Sequence, residues 1–265
     1  MTQARSSEGN FIRTGDNFWN IRGRFRIAGL LDIGSQASLV KRASGGFILL
    51  DSLVPDPASA AAINELTDGG AKVEAILNLH PFHTVHVEAV HKRFPAATLY
   101  GTRRHKDRLP GLPWAKETTE SPGLHELFVD DLVFSVPAGV DFISDNEKVH
   151  FSSVLAFHQG SGTIHVDDTF NYIPPSGLLR LTPLADMLSF HPTLAKALLP
   201  RAGAAAEFNE WAEGLIECWG HATTLCAAHN GIYAPAIGDD PVAERMQAAL
   251  GRVQDTLAAH ELRHP

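Results

Sequence analysis

The sequence predicts a layered protein in which strands and helices alternate along the chain. Three observations carry that expectation. Short apolar runs, FILLDS at 47–52 and VEAILN at 73–78, have the length of buried strands. Helix-starting and helix-stopping residues fall between them. Further on, two apolar runs face each other across the turn-like cluster HQGSG, which is a hairpin signal.

Taken in order, residues 1–15 read as a flexible N-terminal tail and 16–265 as one domain. Strand-like runs follow at 18–27, 29–40 and 46–50. Asp56 then Pro57 form a helix start, with Asp as the N-cap and Pro in the first turn. A helix over about 58–66 ends at Asp68-Gly69-Gly70. The strand 73–78 runs into a histidine-rich loop, His80 to His86, and then a helix with Val87, Val90 and Phe94 at core spacing. Pro95 closes that helix before a strand at 97–100. Residues 111–145 read as loops with one strand near 132–136. The hairpin pairs 149–157 with 163–166. Residues 176–220 read as helix interrupted at Pro183, Pro192 and Pro200, then a strand at 223–227 and a final helix over 241–262. The apolar residues Leu178, Leu179, Leu181, Met187 and Phe190 are candidates for a pocket wall.

Composition narrows the function classes. The 22 Lys+Arg against 30 Asp+Glu give a net charge of −8, which excludes a basic nucleic-acid footprint. No apolar run approaches the roughly 20 residues that span a bilayer. The polar N-terminus lacks the apolar core of a secretory signal, so a cytoplasmic protein is expected. The expected partner is a small-molecule substrate, with no nucleic acid and no membrane. Cys218 and Cys226 are too few for a disulfide framework or a thiolate zinc knuckle, and both read as buried apolar groups.

Histidine is the unusual entry, with 14 copies. Imidazole is the commonest metal ligand and the usual acid or base near neutral pH. Three of them, His80, His83 and His86, occupy seven residues at the carboxyl end of a strand, where layered proteins place their sites. The hairpin offers His150, His158, His165, Asp167 and Asp168. With 159–162 as the turn, His158 pairs near Thr163 and Asp168 lies opposite about Ser153. His150 and Asp168 then share the open end, while His158 is about five residues, or roughly 16 Å, away. His158 is therefore a hairpin-end residue, and His165 is expected to pack or face solvent. Asp167 is the reserve for Asp168, since neighbours on a strand face opposite sides. His229, in AAHNG after a short strand, is the last candidate, ahead of His221. His91, His105, His125, His191, His260 and His264 read as incidental. The basic cluster Arg103, Arg104, Lys106 and Arg108 reads as a solvated face able to steer an anionic substrate.

The stretch ILNLHPFHTVHVEAVHKRFPAATLYGT resembles the ILNTH-x-H-x-D-H … FP-x-A-x-LYG segment of the metallo-β-lactamase-fold superfamily. HVDDTFN resembles that family's GDTLF element, and AAHNG its final His-Gly. The resemblance spans roughly residues 20 to 260. It implies an α+β fold, a four-layer αβ/βα sandwich of two sheets flanked by helices. It also implies a divalent metal, zinc first with iron or manganese as alternatives, held by His80, His83, His86, His150, Asp168 and His229. Aligned without gaps on His80, this chain has Phe82, Thr84 and Val85 where the family has its second His, its Asp and its third His. That degenerate loop marks a divergent branch and implies one ion rather than two. The first functional expectation is a metal-dependent hydrolase using a metal-activated water. A non-catalytic or metal-free binding protein on a degenerate fold is the alternative, followed by an iron-containing oxidoreductase. No catalytic side chain beyond the ligands is picked out.

Overall fold

The structure is a computed structural model and describes residues 7–8, 10–24, 26–27, 31–32, 34–174, 186–228 and 231–265. In chain order its first strands are β1 (Ser7–Glu8), β2 (Phe11–Gly15), β3 (Phe18–Gly23), the small pair β4 (Arg26–Ile27) and β5 (Leu31–Asp32), β6 (Ser35–Lys41) and β7 (Phe47–Leu50). Then come α1 (Pro57–Thr67), β8 (Val73–Leu77), α2 (Val87–Arg93), β9 (Thr98–Gly101), α3 (Arg103–Arg108), β10 (Trp114–Thr118) and α4 (Pro122–Leu127). The second half holds β11 (Val133–Ser135), β12 (Leu155–His158), β13 (Thr163–Ile173), β14 (Met187–Phe190), α5 (Leu194–Ala197), α6 (Ala204–Cys218), β15 (Thr224–Ala228), β16 (Ile232–Tyr233) and α7 (Val242–Arg263).

Two large sheets result. The first runs β1-β2-β3-β6-β7-β8-β9-β10, and the second β11-β12-β13-β15-β16 with β14 paired to β13. Strand alternation sorts the side chains into three packed layers. Leu39, Leu49 and Ile76 face outward from the first sheet, in one core with Ile63 of α1 and Val87 and Val90 of α2. Their neighbours Val40, Ile48, Leu50, Ala75 and Leu77 point the other way, into a core shared with Ala156 and Cys226 of the second sheet. Phe157, Ile164, Val166, Leu225 and Ala227 form the third core with Phe208 of α6 and Met246 and Leu250 of α7. The order is helix, sheet, sheet, helix, which is the expected four-layer sandwich.

Local chemistry explains the element ends. Asp56 accepts from the Ala58 and Ser59 amides at 3.0 Å and caps α1. Asp68 ends it in the left-handed region, φ 55°. Gly70 follows with φ 97°, and a Cβ there would meet the Phe94 ring at 2.8 Å.

Several expectations are corrected. The N-terminal stretch read as a tail contributes β1 and β2 to the first sheet, with Phe11 buried. The stretch read as loops contains β10, paired parallel with β9, and α4. The start of α4 is written in the sequence as Ser121-Pro122, since the Ser121 hydroxyl accepts from the Leu124 amide. The section read as interrupted helix contains β14, whose Leu188 and Phe190 are buried while Met187 and Ser189 are half-buried, a period of two. Phe190 belongs to the third core. Leu178, Leu179 and Leu181 lie outside the described residues. Cys226 is buried as expected, but Cys218, the last residue of α6, is exposed. Among the described residues no helix is long and apolar enough to cross a membrane.

Candidate functional site

A cavity of about 330 Å³ opens at the carboxyl ends of β7 and β8 and beside the middle of β13. Its lining includes Asp51, His83, His86, His150, Asp167 and Asp168. The loop after β8 supplies the histidines. Its root is held by side chains: Ser52 donates to Asn78 Oδ1 at 2.7 Å and Asn78 donates to the Tyr100 carbonyl at 2.9 Å. Asp51, just past β7 at φ 58°, accepts from the Leu79 amide at 2.7 Å. Asp is among the few residues that take the left-handed conformation readily, so it suits this corner.

His80 is fully buried and His83 half-buried, with rings stacked at 4.0 Å. His80 Nε2 lies 3.2 Å from Asp168 Oδ2 yet has no hydrogen bond of proper geometry, although the atom is buried. His83 Nδ1 pairs with Asp167 Oδ2 at 3.1 Å, and His83 Nε2 is 3.9 Å from Asp168 Oδ2. Ligand atoms of His80, His83 and Asp168 all lie within 4.8 Å of one another. His150, half-exposed at the rim, brings Nδ1 to 4.0 Å from the same carboxylate oxygen. The hairpin register is as expected: His158 pairs with Thr163, far from Asp168, and its ring bonds the Ser161 hydroxyl at 2.8 Å.

Asp167 and Asp168 were expected on opposite faces, but both reach the histidines. The reason is an irregularity in β13. Its parallel register on β15 runs Val166 to Ala227 and then jumps to Asn171 and Ala228, so 167–170 bulge out of the pairing. Period-two facing does not hold through a bulge.

A second group lies deeper. Asp51, His165 and Asp167 also gather within 4.8 Å, all three buried. His165, expected to pack or face solvent, packs and is hydrogen-bonded at both nitrogens, to Ser38 Oγ and Asp51 Oδ2 at 2.9 Å each. Asn20 donates to Ser38 Oγ at 3.0 Å, and Gln36 donates to Asp167 Oδ1 at 3.1 Å. Asp51, Gln36 and Ser38 were not singled out by sequence reasoning. The only signal for Asp51 was its place at the end of a buried apolar run.

Electrostatics follow from this crowding. Burial pulls the His83 imidazole down, but the Asp167, Asp168 and Asp51 carboxylates outweigh it and raise it to about 9. His80 is lowered, by burial and then by the neighbouring His83 charge. Burial and the nearby Asp167 raise Asp51, whereas His83 holds Asp167 well below the usual carboxylate range despite its burial.

The remaining histidines sort differently from expectation in three places. His86 lies on the cavity wall at the start of α2, not in the compact donor group, and burial then the His83 charge lower it. His105 is fully buried rather than solvated. Its Nδ1 accepts from the Thr102 amide at 3.2 Å, closing a capping box, and Nε2 faces the His83 carbonyl at 3.4 Å. His191 lines the cavity and bonds Thr193 Oγ1 at 2.7 Å. His229 lies outside the described residues. Nearby, Arg22 of β3 donates to the Ala227 and Gly231 carbonyls at 2.8 and 2.7 Å, tying the two sheets together at this end.

The donor chemistry fits a divalent ion. Imidazole with carboxylate suits zinc, iron or manganese. His83 donates from Nδ1 to Asp167, which fixes its ring, so an ion would take the place of the proton on its Nε2; His150 donates from Nε2 to the Glu147 carbonyl, which leaves its Nδ1 on the Asp168 side.

No protein-family model matches the chain, and no curated protein does. Solved structures do match. A metallo-β-lactamase from Erythrobacter litoralis, with β-mercaptoethanol in its active site, is 14% identical over 96% of this chain and 99% of its own, at TM-score 0.59. One from Pseudomonas aeruginosa in a mono-zinc form is 14% identical over 95% and 99%, at 0.58. One from Hirschia baltica is 13% identical over 91% and 95%, at 0.58. At these identities the likeness shows the fold: the chain has the metallo-β-lactamase fold.

Proposed function

We propose that the protein is a metal-dependent hydrolase of a small-molecule substrate, with one divalent ion held by His80, His83 and Asp168 and joined by His150. The observation that carries this reading is the buried His80 Nε2, without a hydrogen bond, facing Asp168 and stacked on His83 beside an open cavity. Zinc is the first choice, since one neighbour in fold is a mono-zinc form. His86, on the cavity wall, and His229, the residue after β15 in the chain, stay in the candidate set as further ligands. Such an ion supplies Lewis acidity and an acidified water. The protein's own groups do the rest. Asp167 accepts the His83 Nδ1 proton and fixes that ring, as a carboxylate behind a ligating histidine does. Asp51 holds the backbone of the loop through Leu79 and is bonded to His165, which leaves His80, His83 and Asp168 as the donors for one ion.

One contact favours a second reading, a metal-free binding protein. The Phe82 amide donates to His80 Nδ1 at 3.1 Å, which keeps the proton of a neutral ring on Nε2. An ion at Nε2 needs that proton moved and that bond broken. Elemental analysis of protein purified without chelator separates the two. The hydrolase reading expects about one zinc, iron or manganese per chain, lost in Asp168→Asn. Protein with no stoichiometric metal overturns it.

A further inference from the structure

Beside the histidines lies a second cavity of about 240 Å³, lined by Phe82, Thr84, Arg104, Arg108, Glu147 and His150. It shares Phe82 and His150 with the main cavity, so the two adjoin. Phe82 stands where the superfamily's loop has its second histidine, and it has a different use here. One neighbour of the ring is the Arg104 guanidinium, 4.3 Å from its centroid. The other is the His150 ring, stacked at 4.6 Å and 12°. Stacking on an aromatic face pre-organises a guanidinium and leaves its edge donors free to point elsewhere.

Those donors point at one carboxylate oxygen. Arg104 Nη2 is 2.9 Å from Glu147 Oε1, and Arg108 Nη2 contacts the same oxygen. Arg104 and Glu147 differ in rigidity, while Arg108 is as open as the carboxylate at 55% exposed. The Arg104 side chain is 16% exposed and stacked, whereas Glu147 is 60% exposed. Exposed ion pairs are weak, so the carboxylate is the displaceable member. Lys106, from the same basic run, is not part of this: its ammonium is spent on the Ala115 and Lys116 carbonyls.

We propose that Arg104 and Arg108 form an oxyanion subsite for the substrate, occupied by Glu147 in the resting protein and taken over by a carboxylate or phosphate group of the ligand. The substrate then lies across Phe82 and His150, with its anionic end at the arginines and its reacting group in the main cavity. This rests on the hydrolase reading for its chemistry, but the anion contact itself needs no metal.

The test is calorimetric titration of inorganic phosphate, and separately of acetate, into the wild type, Arg108→Met and Glu147→Gln, with metal content measured on each sample. Both substitutions are at exposed side chains and leave the stack intact. Arg108→Met is expected to weaken anion binding about tenfold, the worth of one charge-assisted hydrogen bond. Glu147→Gln is expected to tighten it several-fold by removing the competitor. The anion that binds more tightly identifies the group as phosphate or carboxylate. Equal affinities in the three proteins, or no saturable binding of either anion even in Glu147→Gln, overturn the subsite. Absence of metal with these affinity changes intact overturns only the hydrolase reading.

Discussion

The two histidine–carboxylate clusters use the same residue types, share the Asp167 side of the bulge, and differ in how their hydrogen bonds are completed. The inner one, Asp51 with His165 and Asp167, is buried between the sheets, with Asp51 and Asp167 reaching the cavity wall. Both His165 nitrogens have partners, and Asp51 also holds a backbone amide. The outer one, His80 and His83 with Asp168, borders a cavity and leaves a buried imidazole nitrogen without a hydrogen bond. A satisfied polar network rigidifies a core, while an incompletely satisfied one beside a cavity is a place for a ligand. The inner cluster is therefore read as the frame and the outer one as the site.

The sharpest way to break this contrast is Asp51→Ala. It strips the buried His165 and Leu79 amide of their acceptor, and a loss of about 3–5 kcal/mol in denaturant unfolding is expected. A loss under about 1 kcal/mol would erase the distinction between frame and site. Asp168→Asn should do the opposite. Metal affinity, followed by competition with a chromophoric chelator, falls by about 100-fold, while the metal-free protein keeps its stability within about 1 kcal/mol. Unfolding of that variant at room temperature would place Asp168 in the frame instead.

His105 sharpens the comparison through pH. Burial holds its imidazole neutral, lowered to about 3. The unfolded value lies above the folded one, so its contribution to stability is present above about 6.5 and is lost as the pH falls from there toward 3. Each unit of acidification in that window costs up to about 1.4 kcal/mol from this residue. Melting curves at pH 7 and pH 4.5 should draw closer together in His105→Leu than in the wild type. An unchanged gap would remove His105 as a source of acid sensitivity. The smallest effect is expected from Ser38→Ala, which removes one of the two His165 partners and costs about 1 kcal/mol by the same unfolding measurement.

Much of this was legible along the chain. The Asp56-Pro57 start of α1, the run VEAILN and the HQGSG turn each act over a few residues, and the structure places α1, β8 and the β12–β13 hairpin there. His80, His83 and Asp168 were visible as ligand types at strand ends. The edge elements were less legible. β14 has strand periodicity over only four residues, and its pairing with the far half of β13 decides it. β10 likewise has no buried face of its own and forms because β9 offers it an edge.

By itself the sequence determined the layered architecture, the histidine-rich loop after β8 and the separation of His158 from Asp168. Each follows from period, length or hairpin register, which are local quantities. Only the tertiary structure decided that Asp51 meets His165 across 114 residues of chain, that Asp167 meets His83 across 84, and that Phe82 becomes the platform for Arg104 and His150. Those meetings depend on how two sheets stack and on a bulge that turns neighbouring aspartates the same way. A buried charge accepts its position only when partners from distant strands arrive together to stabilise it.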